Sequence, residues 1–207
     1  LPITNPYDVG AEFFRWEIAV SVMCHILGIN AFDQPDVQDS KLRTIAKITD
    51  YQKTGKLADV DLVNVSDVKP ALDKFLEDTK AGEFVTINAY LPRNKETIEV
   101  LQELRVAIRE KTRGACAVTA GFGPRFQHST GQFHKGGPNK GWFIQIVYDA
   151  EKDMEIPTQG LTFGTLLRAQ ALGDYEALIA AGRRVLRIHL PSLTDLGTLV
   201  KLLDQEK

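Results

Sequence analysis

The sequence predicts an α/β fold: a helical N-terminal portion over residues 1–80, then a mostly parallel four-stranded sheet flanked by helices in three layers over 81–207. Three observations predict it. Up to residue 80 the apolar residues recur at helical spacing and no long strand-like run occurs. From residue 83 strand-length apolar runs alternate with helical segments, the signature of parallel sheets with helical crossovers. The chain has 207 residues, 43% apolar and 25% charged, enough for one substantial core and unlike a disordered or fibrous chain.

Residues 8–29 read as a helix, with Asp8 as N-cap, Phe13, Trp16, Val20, Met23 and Leu27 at helical spacing, and Gly28 closing it. His25 on this helix is expected in the core. A loop around Pro35 leads to a second helix at about 37–52. Residues 53–66 read as polar and irregular, and 67–79 as a short helix. Strands are then expected at 83–90, 115–120, 142–148 and 184–190. Between them lie helices at 95–112 and 161–181, the latter interrupted near Gly173 with Asp174 capping its second piece. A short helix is expected at 126–134 and a closing helix at 194–204.

Charge and cysteine content narrow the function. Lys+Arg is 25 and Asp+Glu is 27, so a nucleic-acid partner or an anionic membrane is not expected and any anion site must be local. Residues 11–29 carry Glu12, Arg15, Glu17 and His25, which argues against a membrane span. Two cysteines, Cys24 and Cys116, make neither a zinc cluster nor a disulfide framework, so a cytoplasmic location is expected. Four scattered histidines do not suggest a metal site. The chain begins at Leu1 without Met, as expected of a piece of something longer.

The most informative stretch runs from Gly121 to Gly141. It holds six glycines with Arg125, His128, His134, Lys135 and Lys140, and no Asp or Glu. Glycines let backbone N–H groups approach a ligand, and Ser129 and Thr130 add hydroxyl donors. The segment follows a strand, where open α/β sheets bind ligands. Together these favour a phosphate or other small anion, with His128, beside Gln132, as a proton carrier near neutral pH. A solvated surface loop is the alternative. His134 reads as an anion contact or an exposed residue, and His189 as structural. In the loop before the second helix, Gln34 can donate to and accept from sugar hydroxyls, and Lys41 lies about one turn into that helix. An ordinary capped helix start explains this loop equally well.

The segment Gly28-Ile-Asn-Ala-Phe-Asp-Gln-Pro-Asp-Val-Gln-Asp-Ser-Lys41 resembles the C-terminal signature of glucose-6-phosphate isomerase, which has Phe-Asp-Gln, Gly-Val-Glu and a spaced Lys. Gly10–Glu17, His128–Asn139 and Phe163–Asp174 resemble one branch of it, the isomerase half of bacterial transaldolase/glucose-6-phosphate isomerase fusions. The resemblance covers nearly the whole chain. It implies interconversion of glucose 6-phosphate and fructose 6-phosphate with neither metal nor organic cofactor. It assigns Lys41 and His128 as catalytic groups assisting ring opening. Gln34, Arg125, Ser129, Thr130, Gln132 and Lys135 are expected around the sugar phosphate. Expected partners are an upstream isomerase domain, a transaldolase domain in the fusion case, and a second subunit in a homodimer. Three departures stand out. Asp36 and Gln38 replace the family's Gly and Glu, and the His motif here follows the Lys motif. The glycine-rich motif carrying the proton-shuttling Glu does not occur, so the chain alone is expected to be inactive. A non-catalytic sugar-phosphate or anion-binding module is the competing expectation.

Overall fold

The computed structural model describes residues 2–57 and 60–204. The chain divides into two compact units, residues 1–35 and 36–207. The first is built on helix α1 (Pro6–Leu27). Its N-cap is Asn5, not Asp8. The Asn5 side chain accepts from the Tyr7 amide at 2.8 Å, and Asp8, one turn in, accepts the Asn5 amide at 3.0 Å in a capping box. Gly28 closes the helix at φ 70°, a left-handed conformation that suits glycine. None of the α1 residues is buried, so His25 is not a core residue.

The second unit is the α/β body, and its class is as expected. Its strands are β1 (Leu62–Asn64), β2 (Phe84–Tyr90), β3 (Ala117–Phe122), β4 (Gly141–Tyr148) and β7 (Arg184–Leu190), with a small antiparallel hairpin β5 (Glu155–Ile156) and β6 (Leu161–Thr162). The helices are α2 (Pro35–Thr54), α3 (Val68–Glu77), α4 (Lys95–Lys111), α5 (Gly131–Gly136), α6 (Phe163–Ala180) and α7 (Leu196–Asp204). The main sheet has the order β1-β7-β4-β2-β3, with every pairing parallel. It has five strands, one more than the sequence pattern indicates. The addition is β1, at the edge beside β7 (Leu62 opposite Arg187), inside the stretch read as irregular.

The two faces of the sheet differ in chemistry. Odd positions of β2 (Val85, Ile87, Ala89) and even positions of β4 (Trp142, Ile144, Ile146) enter one apolar core with Leu72 of α3, Leu104 and Ile108 of α4, and Leu199 of α7. The opposite face presents Thr86, Asn88, Gln145 and Arg187, all buried, toward α6. Gln145 and Arg187 have internal partners, whereas Asn88 Nδ2 has none among the described residues. The Arg187 Nε donates to Gln145 Oε1 at 2.8 Å, and Gln145 Nε2 donates to the Ala171 carbonyl at 2.8 Å. Burial lowers the Arg187 pKa from its usual value.

Helix α6 is continuous through Gly173. A Cβ there would lie 2.5 Å from Thr44 Oγ1 and 2.9 Å from the Ser40 carbonyl, so glycine is what lets α2 rest against α6. Asp174 is not a cap but fully buried. Among the described residues, no helix is long and apolar enough to cross a membrane.

Candidate functional site

A cavity of about 480 Å³ lies between α2, the segment following β3, and α6. Lys41, Thr44, Ile45 and Ile48 come from α2, Arg125, Gln127 and His128 from a 3-10 turn (Arg125–His128), and Leu166 and Gln170 from α6. Val37 opens the same α2 face one turn before Lys41, the i, i+4 spacing of one helix side. Lys41, Arg125 and His128 are exposed, and no carboxylate lines the cavity among the described residues. The remaining wall is mostly apolar. This is a cationic mouth over an apolar base, which favours an anion carried on a less polar body.

Two local features place these groups. The chain leaving β3 crosses the ring of Tyr90 at Gly123, where a Cβ would approach Tyr90 Cζ to 2.5 Å. Only glycine fits there. The beginning of α2 is latched to α5: the Asp36 amide donates to Gln132 Oε1 at 3.2 Å, and Gln132 Nε2 donates to Asp36 Oδ2. Asp36, one of the departures from the isomerase signature, thus anchors the helix that carries Lys41.

Behind the cavity lies a buried ion pair. Lys135 Nζ is 2.6 Å from Asp174 Oδ1 and donates to Gln127 Oε1 at 2.9 Å, while Gln127 Nε2 donates to Asp174 Oδ1. Both ends of the Gln127 amide are therefore fixed. Burial, with the Asp174 charge behind it, pushes the Tyr90 phenol well above its usual pKa. His134 is also buried, with its ring centroid 5.8 Å from Phe126 and 5.2 Å from Phe143. Its Nδ1 has no hydrogen-bond partner among the described residues. Burial pulls its pKa down to about 4, outweighing the attraction of Asp174.

The residues singled out in the sequence divide accordingly. Lys41, Arg125 and His128 meet at one cavity. Ser129 and Thr130 lie on an exposed turn with their hydroxyls directed at the Phe126 carbonyl, at 3.2 and 3.5 Å. Gln132 is engaged by Asp36, and Lys135 is 3% exposed, paired inside the protein rather than available to a ligand. His134 is buried rather than exposed. Gln34 is an exposed residue of the first unit. Gln127, Thr44 and Gln170 line the cavity without having been singled out. A signal for Gln127 was present: it sits between Phe126 and His128 in the basic segment.

No family model matches the chain. Over 92 residues it is 35% and 36% identical to the glucose-6-phosphate isomerases of two strains of Thermus thermophilus, matches that cover 39% of this chain and 22% of each relative. The matched stretch is thus about a fifth of the length of these curated relatives. In fold, the chain is similar to the crystal structure of a hypothetical protein from Thermus thermophilus, with TM-score 0.53 and 21% identity, over 79% of this chain and 43% of that one. Part of the chain is therefore similar to glucose-6-phosphate isomerase, and most of it shares a fold with a larger protein of the same organism.

Proposed function

We propose that this chain is the C-terminal part of a glucose-6-phosphate isomerase of the transaldolase-fusion type, and that it contributes one wall of the active site. The observation that carries this reading is the meeting of Lys41 with Arg125 and His128 in one cavity, although Lys41 lies far from the other two in sequence. In this reading Arg125 and the Lys41 ammonium hold the sugar phosphate by charge. His128 and Lys41 exchange protons with the ring and carbonyl oxygens as the sugar opens. Moving a proton between C1 and C2 needs a further base. The cavity offers no carboxylate among the described residues, so that base comes from elsewhere in the longer enzyme. An upstream isomerase domain, a transaldolase half and a second subunit are the partners in this proposal. Gln34 is assigned to the sugar hydroxyls on its motif alone.

The test has two arms. In the longer protein, Lys41→Ala should lower kcat at least about tenfold, and unchanged turnover refutes the catalytic role. In the 207-residue chain, fructose 6-phosphate should shift the amide signals of Arg125 and His128 more strongly than inorganic phosphate does. The apolar wall and the missing carboxylate also favour a second reading, a non-catalytic sugar-phosphate or anion module. Equal weak responses to both ligands, with wild-type turnover in Lys41→Ala, select that reading.

A further inference from the structure

A second cavity, about 340 Å³, opens at the carboxyl ends of β2 and β4. These neighbouring strands send their connections opposite ways: β2 leads through α4 to β3 at one edge, and β4 leads through α6 to β7 on the other side. Such a switch point is where open parallel sheets leave a crevice for a ligand. The cavity is lined by Tyr51, Tyr90, Tyr148, Asp149, Asp153 and Arg168.

Its chemistry is unlike that of the first cavity. Arg168 Nη1 lies 2.7 Å from Asp149 Oδ1, and His189 Nε2 lies 3.0 Å from Asp149 Oδ2, so the Asp149 carboxylate is held on both oxygens. Asp153 Oδ1 accepts the Gly164 amide at 2.8 Å. The first turn of α6, which would otherwise attract an anion, is already occupied by this carboxylate. Against the upward push of partial desolvation, hydrogen bonds from Thr162, Gly164 and Met154 keep the Asp153 carboxyl below its usual pKa. Among the described lining residues, two carboxylates face one guanidinium, a balance that repels a phosphate. Three tyrosines supply flat apolar faces with hydroxyl tips. The volume is at the small end of ligand pockets, typically upward of about 300 Å³.

We propose that this crevice binds a neutral, hydroxyl-rich ligand of monosaccharide size. Carboxylate oxygens and guanidinium N–H groups pair with vicinal hydroxyls, and tyrosine rings cover the C–H faces. A phosphorylated ligand is directed to the Lys41–Arg125–His128 cavity and an unphosphorylated one here, with Tyr90 forming part of both walls. The proposal does not depend on the isomerase reading.

The test is amide NMR of the 207-residue chain titrated with D-glucose and, separately, with inorganic phosphate. Glucose should give saturable shifts at Asp149, Asp153, Gly164 and Thr165, with a millimolar dissociation constant. Tyr148→Ala and Asp153→Asn should each weaken binding about tenfold or more, whereas Arg125→Ala should leave it unchanged. The Asn variant retains an acceptor for the Gly164 amide, so it reports on the ligand even where the Ala variant loses structure. Absence of a saturable glucose response up to about 50 mM overturns the proposal. So does glucose acting only at Arg125 and His128, or phosphate shifting the Asp149 and Gly164 amides as tightly as glucose.

Discussion

Mild acid should destabilise this protein through one residue, His134. Its ring is packed against Phe126 and Phe143, and burial lowers its pKa from 6.5 to about 4. In the unfolded chain the imidazole regains its ordinary value. Between those two values the unfolded state therefore binds more protons than the folded one, and stability falls as the pH falls. Above about pH 6.5 the full stability is present; the loss is complete near pH 4 and grows no further below it. With these values, going from about pH 7 to about pH 4.5 removes roughly 2–3 kcal/mol. The assay is urea denaturation at both pH values for the wild type and His134→Leu. Leucine is close in volume and removes the Nδ1 that has no partner, so near neutrality the variant should lie within about 1 kcal/mol of wild type. Carboxylates such as Glu83 titrate equally in both proteins, so the difference in pH dependence isolates His134. Identical acid sensitivity in the two proteins refutes the reasoning.

Two further perturbations address the framework of the cavity. Gly173→Ala should destabilise by about 1–3 kcal/mol, because the new methyl meets Thr44 and Ser40 of α2. Since α2 carries Lys41, the same variant should weaken the phosphate response at Arg125 and His128; an unchanged melting curve and an unchanged response count against this packing. Asp174→Asn should cost about 3–5 kcal/mol in urea denaturation by leaving Lys135 buried without its counter-charge. Replacing both partners by apolar residues, Lys135→Met with Asp174→Leu, should cost much less, and equal losses would show that the charges are not the issue.

The four longer strands and the long helices are legible because their periodicities extend over about six or more residues, whereas the two-residue strands β5 and β6 are too short to show one. Nor is β1 legible. Three residues, Leu62-Val63-Asn64, carry no readable period, and their strand exists because β7 supplies a partner 125 positions away. At Gly173 the local signal misled: glycine followed by aspartate reads as a helix break and a new cap. Here the glycine is a contact notch for α2 and the aspartate turns inward to Lys135. The glycine-rich segment stands out in the sequence, but its charges divide between two elements. Arg125 and His128 line the cavity, while the turn of α5 carries His134 and Lys135 inside. Charge content alone cannot separate a ligand-facing lysine from one that neutralises a buried carboxylate. The apolar side chains of α1 formed a clear helical pattern, yet none of its residues is buried.

The remote partner of β1 also orders events in time. β2, β3 and β4 lie together in sequence and can assemble as soon as residue 148 is available. β1 precedes all of them yet its strand partner is β7, which arrives well after β4. Closing so long a loop delays the contact. During synthesis, therefore, β1 emerges before the other strands of this sheet yet finds its place in it last, and a chain stopped short of residue 184 leaves it without a strand partner.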